Sequence, residues 1–337
     1  MKIAINGFGR IGRCFFKAAH AQGLFRKHEL VAVNNLCDSK TAAHLLRFDS
    51  VHGRFEGKVS FTETAMGVVD GAEFRYLSEK DPFALPWKSL GVDLVVEASG
   101  AFTKRQDALK HVTAGAKRIL LTAPGKEADA TIVPGINGSA LKKENRVISM
   151  ASCTTNCLAP MCKVLLDNGF GINKGFMTTV HAYTGDQRLL DTEHKDLRRA
   201  RAAALNIIPT TTGAASSIGL VLPELAGKLD GLSIRVPTPD SSLVDLTLEL
   251  ARPSGAAEIN AAFKKAASGS LKAILDYSED PLVSSDITGN PASCVFDSLE
   301  TRVLGGKGNF AKILGWYDNE WGYSNRLVDA CKLVARL

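Results

Sequence analysis

The sequence predicts an α/β chain: an amino-terminal, doubly wound domain on a parallel sheet, followed by an α+β domain on a mostly antiparallel sheet. Three observations predict it. A G-x-G-x-x-G turn follows a short apolar segment at the start of the chain. Short runs that are apolar on both faces, as strands of a parallel sheet are, alternate with helical patterns up to the cysteine at 153. Beyond that cysteine the strands lengthen, and residues 242–250 set Leu243, Val244, Leu246, Leu248 and Leu250 among polar partners, as an antiparallel strand does.

Taken in order, residues 2–6 read as a buried strand and residues 11–22 as the helix that follows the glycine turn. Residues 28–34, 92–98, 118–122 and 146–150 are further strands, with a helix over 104–114 between two of them. A helix is expected over 153–168, then strands over 174–181, 231–237 and 242–250. This places a dinucleotide-binding domain at 1–152 and a second domain at 153–318. The segment 319–337, helical from about 324, returns to complete the first domain. The stretch from Tyr183 to Ala202 is long, polar and basic, which marks a functional loop or a subunit contact.

With 337 residues, two domains are the natural division. Hydrophobic residues at 45% and charged residues at 23% suit a large soluble core. The net charge of +6 is not gathered into long basic runs, so small anions are expected as ligands and nucleic acid is not. No apolar run reaches membrane-spanning length, and residues 1–6 enter a strand directly, with no secretory pattern. Seven scattered cysteines point to reduced thiols and a cytoplasmic location.

Gly7, Gly9 and Gly12, with Arg10 and Ile11 between them, form the dinucleotide fingerprint of a Rossmann domain. Gly7 permits the tight turn, Gly9 lets a pyrophosphate approach the backbone, and Gly12 lets helix and strand pack closely. An acidic residue normally closes the second strand and binds the adenosine ribose, but Asn35 stands there. An amide still bonds a 2′-hydroxyl and does not repel a 2′-phosphate, so both NAD and NADP are expected cofactors, with Asp38 a candidate substitute for the missing carboxylate. The second motif is Ala151-Ser152-Cys153-Thr154-Thr155-Asn156-Cys157. A cysteine at a helix start feels the positive end of the helix dipole, which favours thiolate, and neighbouring N–H groups can hold an oxyanion. Cys157 and Cys162 read as structural. No zinc ligand set accompanies Cys153, so no metal is expected. His181 ends a strand and is followed by Thr184, Asp186 and later arginines: a base beside a thiol and an anion site, as acyl transfer requires.

These segments, with Arg198–Ala203, Thr212–Ala215, Arg235–Pro239 and Trp316–Tyr323, resemble glyceraldehyde-3-phosphate dehydrogenase over nearly the whole chain. The resemblance implies that Cys153 attacks the aldehyde and His181 takes the hydroxyl proton as hydride leaves. It also implies that inorganic phosphate releases an acyl phosphate from the thioester. The substrate phosphate is then expected near Thr184, Asp186 and Arg235, and inorganic phosphate near Ser152, Thr154, Thr212 and Gly213, with Arg199 close to both. Asn319 would hold the nicotinamide carboxamide, Thr122 and Lys80 would flank the cofactor, and four chains would assemble as a homotetramer.

The chain departs from that pattern at Asn35, at Thr192-Glu193 where NAD-specific members carry Leu-Pro, at Lys80 where arginine is common, at Met150 in place of Asn, and at Ser216 in a place often held by lysine. Glu193 would repel a 2′-phosphate if it pointed inward, and Lys80 would offset that charge. Nothing in the pattern explains Met150. Two alternatives stand beside the triose enzyme. Erythrose-4-phosphate dehydrogenase is disfavoured by Tyr183, Thr184, Thr212 and Gly213. A catalytically silent binding or scaffold protein is disfavoured because thiol, base and both arginines are all retained.

Overall fold

The computed structural model describes residues 1–62, 66–69 and 72–337. The chain divides into two compact units, the first comprising Met1–Ile132, Gly138–Ser152 and Ser324–Leu337, the second Val133–Asn137 and Cys153–Tyr323. This differs from the division read from the sequence in two places. Val133 belongs to the second unit's core and Ile136 packs against it, so 133–137 groups with that unit. Residues 319–323 also stay there, because the Asp318 carboxylate accepts hydrogen bonds from the N–H groups of Glu320 at 2.9 Å and Trp321 at 2.6 Å.

In the first unit, strands β1 (Lys2–Asn6), β2 (Glu29–Asn34), β3 (Phe48–Asp49), β4 (Gly53–Arg54), β5 (Val59–Phe61), β6 (Met66–Val69), β7 (Ala72–Leu77), β8 (Leu94–Glu97), β9 (Arg118–Leu121), β10 (Ala130–Thr131) and β11 (Val147–Ser149) alternate with helices α1 (Arg10–Ala21), α2 (Leu24–Lys27), α3 (Ser39–Arg47), α4 (Trp87–Leu90) and α5 (Arg105–Thr113). All but the β3–β4 hairpin join one sheet in the order β10-β11-β9-β8-β1-β2-β7-β6-β5. The seven strands from β10 to β7 run parallel, and β6 and β5 continue the sheet antiparallel. Chain order reverses at β1, the switch point at which open α/β sheets bind ligands. Strands β5 and β6, which the apolar pattern did not reveal, supply the short antiparallel edge.

Two glycines set the turn at that switch point. Gly7 has φ +94°, and a Cβ there would lie 2.4 Å from the Ser99 nitrogen. A Cβ on Gly12 would lie 2.1 Å from the Gly7 carbonyl oxygen, so helix α1 can approach β1 only without a side chain at this point. Gly9 caps α1 and faces open space, with nothing within 4 Å of a Cβ.

The second unit begins with α6 (Cys153–Asp167) and continues through β12 (Lys174–Ala182), β13 (Ile208–Thr211), β14 (Leu229–Val236), β15 (Ser242–Gly255), α7 (Ala256–Ser268), β16 (Leu275–Ser278), α8 (Ser284–Ile287), β17 (Cys294–Val303) and β18 (Lys307–Tyr317); α9 (Trp321–Val334) begins in this unit and runs into the first. The sheet order is β13-β14-β12-β15-β18-β17-β16. It is mixed and mostly antiparallel: β12–β14 and β16–β17 are its parallel pairs. One face of β15 is buried by strict alternation, and Leu246, Leu248 and Leu250 on it pack with Leu158, Met161 and Leu165 of α6 and with Phe263 of α7 in one core. Phe263 stacks on Phe296 with ring centroids 3.7 Å apart. Each such side chain contributes about 1.5–3 kcal/mol on burial, which holds α6, and the cysteine at its start, in a fixed place against the sheet.

Candidate active site

In the first unit the glycine turn opens onto a cavity of about 770 Å³. Gly7, Gly9, Asn35 and Lys80 line it, with Asn6 and Asn34 at the strand ends beneath. The fit to a dinucleotide rests on that geometry: open space at Gly9, a helix N-terminus behind it, and polar side chains along the carboxyl ends of three strands. The other predicted cofactor residues in this unit do not line the cavity. The Arg10 guanidinium instead donates to Asp49 at 2.8 Å, Gly12 acts through packing, and Thr122 follows β9, where its N–H bonds the Glu97 carbonyl at 3.0 Å. Ile11 lies in the first turn of α1.

Asn35 is already engaged. Its Oδ1 accepts from the Phe8 N–H at 3.0 Å and its Nδ2 donates to Cys37 Sγ at 2.9 Å. Asp38 does not replace the missing carboxylate. It caps α3, accepting from the N–H of Thr41 at 2.8 Å and from the Thr41 hydroxyl at 2.8 Å, and these bonds hold its pKa below the usual carboxylate value. Sequence reasoning did not see this, although Asp followed by Ser-Lys-Thr is a readable N-cap.

The second unit brings the thiol and the imidazole together. Cys153 opens α6 and His181 lies near the end of β12, and Sγ is 3.5 Å from Nε2. The two ring nitrogens have different roles. Nδ1 lies 2.7 Å from the Ala182 carbonyl oxygen, which can only accept, and 3.2 Å from Arg235 Nη1, which can only donate; the carbonyl is the shorter contact, so Nδ1 is assigned the proton and Nε2 the lone pair that faces sulfur. Burial pulls the His181 imidazole down to about 3, and the Arg235 charge adds to this, so the ring stays neutral as a base. Burial pushes the Cys153 thiol up, against the pull of Arg235 and of Thr154. Burial thus acts against the thiolate that the helix start favours, while Arg235 and Thr154 act for it. Ahead of Cys153, Met150 is fully buried and Ala151 has φ +54°, a left-handed turn that carries the chain from the sheet edge into the helix.

Around this pair lies an anion-binding cluster. β12 and β14 run parallel with His181 opposite Arg235. The Arg235 guanidinium donates through Nη1 to the Ala182 carbonyl at 3.1 Å and to Thr184 Oγ1 at 3.0 Å. Its Nε is buried without a partner among the described residues, a donor awaiting an acceptor. Thr184 Oγ1 donates to Asp186 Oδ1, and Asp186 receives Arg199 Nη1 at 2.5 Å. Burial pushes the Asp186 carboxyl up, but Thr184, Arg235 and Arg199 outweigh it and leave the pKa low. Arg199 also donates through Nε to Thr210 Oγ1 at 2.9 Å and through Nη2 to the Thr211 carbonyl at 3.2 Å. Thr212 and Gly213 follow that strand, and the Thr212 hydroxyl accepts from the Ala214 N–H at 3.2 Å. Ser152 precedes Cys153 at the end of the first unit.

Sequence reasoning missed the scaffold that holds His181 and the helix start. The Tyr317 hydroxyl lies 2.9 Å from Thr154 Oγ1 and 2.8 Å from Thr179 Oγ1, and the Tyr317 ring meets the His181 ring edge-on at 5.9 Å between centroids. Thr154, expected to face phosphate, also ties its hydroxyl to Tyr317. Ser242 donates to Asn319 Oδ1 at 2.7 Å and accepts from the Ala182 N–H at 3.1 Å, which leaves the Asn319 amide nitrogen as a donor. The alternation that marked residues 242–250 as a strand gave no sign of these contacts.

Comparison with known proteins agrees with this geometry. Residues 152–319 match the family model of the glyceraldehyde 3-phosphate dehydrogenase C-terminal domain, and residues 1–105 match that of its NAD binding domain. A relative named glyceraldehyde-3-phosphate dehydrogenase from Streptomyces coelicolor is 60% identical over 99% of this chain and 98% of its own length. The chain belongs to the glyceraldehyde-3-phosphate dehydrogenase family. It is therefore an NAD-dependent phosphorylating oxidoreductase. Relatives of the same name from Geobacillus stearothermophilus, at 55% identity over 99% of this chain and 98% of the relative, and from Mycobacterium avium, at 54% over 100% and 99%, share the full length.

The His181 environment predicts a pH effect. Its folded pKa of about 3 lies below the ordinary 6.5, so the unfolded chain binds more protons and stability falls as pH drops from 6.5 towards 3. The loss amounts to about 2 kcal/mol by pH 5. Denaturant unfolding of wild type and His181→Asn at pH 7.5 and pH 5 should show the variant gaining that amount relative to wild type at the lower pH. An equal shift in both proteins would contradict the assignment.

Proposed function

We propose that Cys153 and His181 oxidise D-glyceraldehyde 3-phosphate to 1,3-bisphosphoglycerate through a thioester. The observation that carries this reading is the Cys153 sulfur 3.5 Å from His181 Nε2. As Sγ attacks the aldehyde carbon, its proton passes to Nε2, and His181 returns that proton to the carbonyl oxygen to give the hemithioacetal. His181 then takes the hydroxyl proton while the carbon loses hydride and becomes the thioester. NAD, when bound, supplies the hydride acceptor. An oxygen of inorganic phosphate attacks the thioester, the C–S bond breaks, and the sulfur recovers its proton from His181. Such a base contributes about 10²–10⁴-fold. The reaction is reversible; glycolysis uses the oxidative direction.

Arg235, Thr184 and Asp186 suit the substrate phosphate, because the buried Arg235 Nε lacks an acceptor among the described residues. Ser152, Thr154, Thr212 and Gly213 are the proposed inorganic phosphate site, with Arg199 serving both. The Asn319 amide nitrogen, left as a donor by Ser242, is suited to the nicotinamide carboxamide. Gly7, Gly9, Asn35 and Lys80 would hold the adenosine and pyrophosphate portions. Seven free cysteines fit a reducing cytoplasm.

Replacing Cys153 by Ser should lower turnover by at least about 10³-fold while NAD affinity changes less than about threefold, as read by steady-state kinetics and by titration. Turnover near wild type would refute the thioester route.

NADP is the second proposed cofactor. Asn35 carries no charge, Asp38 is committed to its helix cap, and Lys80 lines the same cavity. Glu79 and Asp81 also line the cavity, but position 35 carries no carboxylate to repel a 2′-phosphate, so kcat/KM for NADP should fall within about 10–100-fold of that for NAD. Discrimination beyond a thousandfold would show that repulsion is restored from elsewhere.

Homotetramer formation is also proposed. Leu189, Leu190, Leu197, Leu205 and Ile207 are each exposed on one run of chain, between 69% and 81%. Apolar exposure of this extent suits a second copy of the chain better than water. Light scattering should give a four-chain mass for wild type and a smaller one for Leu197→Glu. A monomeric wild type at micromolar concentration would contradict this.

A further inference from the structure

Beneath the first unit's cavity lies a buried polar chain that the chemistry above does not use. Glu97 ends β8, opposite Asn6 at the end of β1, and is 3% exposed. Its carboxylate is saturated by donors. Oε2 accepts from Asn6 Nδ2 at 2.6 Å and from His111 Nε2 at 2.9 Å, and Oε1 accepts from the Ser99 N–H at 2.8 Å and from the Ser99 hydroxyl. His111, on α5, has no solvent exposure. The Trp87 indole can only donate, and it reaches His111 Nδ1 at 2.9 Å, so the ring proton sits on Nε2 and points at Glu97.

The chain continues beyond Asn6. Asn6 Oδ1 accepts from Asn34 Nδ2 at 2.7 Å. Asn34 then closes a ring with the Glu79 main chain, donating to its carbonyl at 2.9 Å and accepting from its N–H at 2.9 Å. Asn6, Asn34, Glu79 and Ser99 all line the cavity, whereas Glu97 and His111 lie behind them. Ser99 has a further constraint, since its nitrogen would lie only 2.4 Å from a Cβ on Gly7. The Glu97 carboxylate thus fixes the main chain against which the glycine turn packs, and through two asparagines it fixes the loop that carries Lys80.

We infer that His111 and Glu97 are positioning residues for the dinucleotide: their hydrogen-bonded pair sets the polar floor of the cofactor cavity without touching the cofactor. A dispersed interior charge of this kind is costly to break and rigid once satisfied, so it transmits geometry from α5 to the strand ends. The inference rests on the reading that this cavity holds NAD, and a wild-type titration with NAD, made first, separates the two: a wild type that binds no NAD overturns both.

The test compares His111→Leu and His111→Gln with wild type. Glutamine can donate to Glu97 and accept from Trp87; leucine can do neither. His111→Leu should raise the NAD dissociation constant at least about tenfold, and His111→Gln should stay within about threefold of wild type. Two readouts should hold in both variants: kcat at saturating NAD within about threefold, and alkylation of Cys153 by iodoacetamide without nucleotide within about twofold. A merely structural role would lower these together with affinity. Equal NAD affinity in wild type and His111→Leu, or a glutamine variant as weak as the leucine one, would overturn the inference. If His111→Leu yields no folded protein, Glu97→Asp decides by the same readouts, since it keeps the charge but shortens its reach.

Discussion

The chemistry proposed for this chain depends on one hydrogen bond, from His181 Nδ1–H to the carbonyl of its neighbour Ala182. That bond leaves the lone pair on Nε2, facing sulfur. The same carbonyl accepts from Arg235 Nη1, which also lies 3.2 Å from Nδ1, so a cation sits against the ring. Burial and that cation keep the imidazole uncharged, and a neutral imidazole is the form able to accept a proton from the thiol, which burial pushes up. In the proposed scheme the nucleophile is generated as it is used.

Rigidity behind the pair comes from long-range packing. Helix α6 presses on β15 and α7 through a continuous apolar core, which sets where Cys153 begins. Parallel pairing of β12 with β14 puts Arg235 opposite His181, and antiparallel pairing of β15 with β18 sets Ser242 opposite Tyr317. Tyr317 then ties the helix start to β12 through two threonine hydroxyls. The mixed sheet has a direct consequence here: a uniformly antiparallel one would not bring the carboxyl ends of β12 and β14 to the same edge.

Much of this was legible in the sequence, for physical reasons that differ by element. The glycine turn was legible because its spacing encodes sterics: a side chain at 7 or 12 would collide with backbone. The parallel strands were legible because burial on both faces leaves continuous apolar runs. Cys153 and His181 were legible as chemistry-bearing types at a helix start and a strand end. The partners of Tyr317 were not, since Thr154 lies 163 positions away and no local pattern couples them. Nor were β16 to β18, whose sequences mix polar and apolar residues without one clean period. Asp38 was read as a candidate substitute for the missing carboxylate, whereas its position one residue before a helix makes it the N-cap of α3. The thiolate expectation weighed the helix dipole, which sequence shows, and omitted desolvation, which only the packed structure shows.

The central claim is that His181 activates Cys153 by direct proton acceptance. Its most direct measurement is the rate of Cys153 alkylation by iodoacetamide at pH 7 in wild type and in His181→Asn, with no nucleotide or substrate present. Loss of the acceptor should slow the reaction at least about tenfold. Equal rates in the two proteins would mean that the sulfur owes its reactivity to some other group, and the mechanism built on this pair would fail.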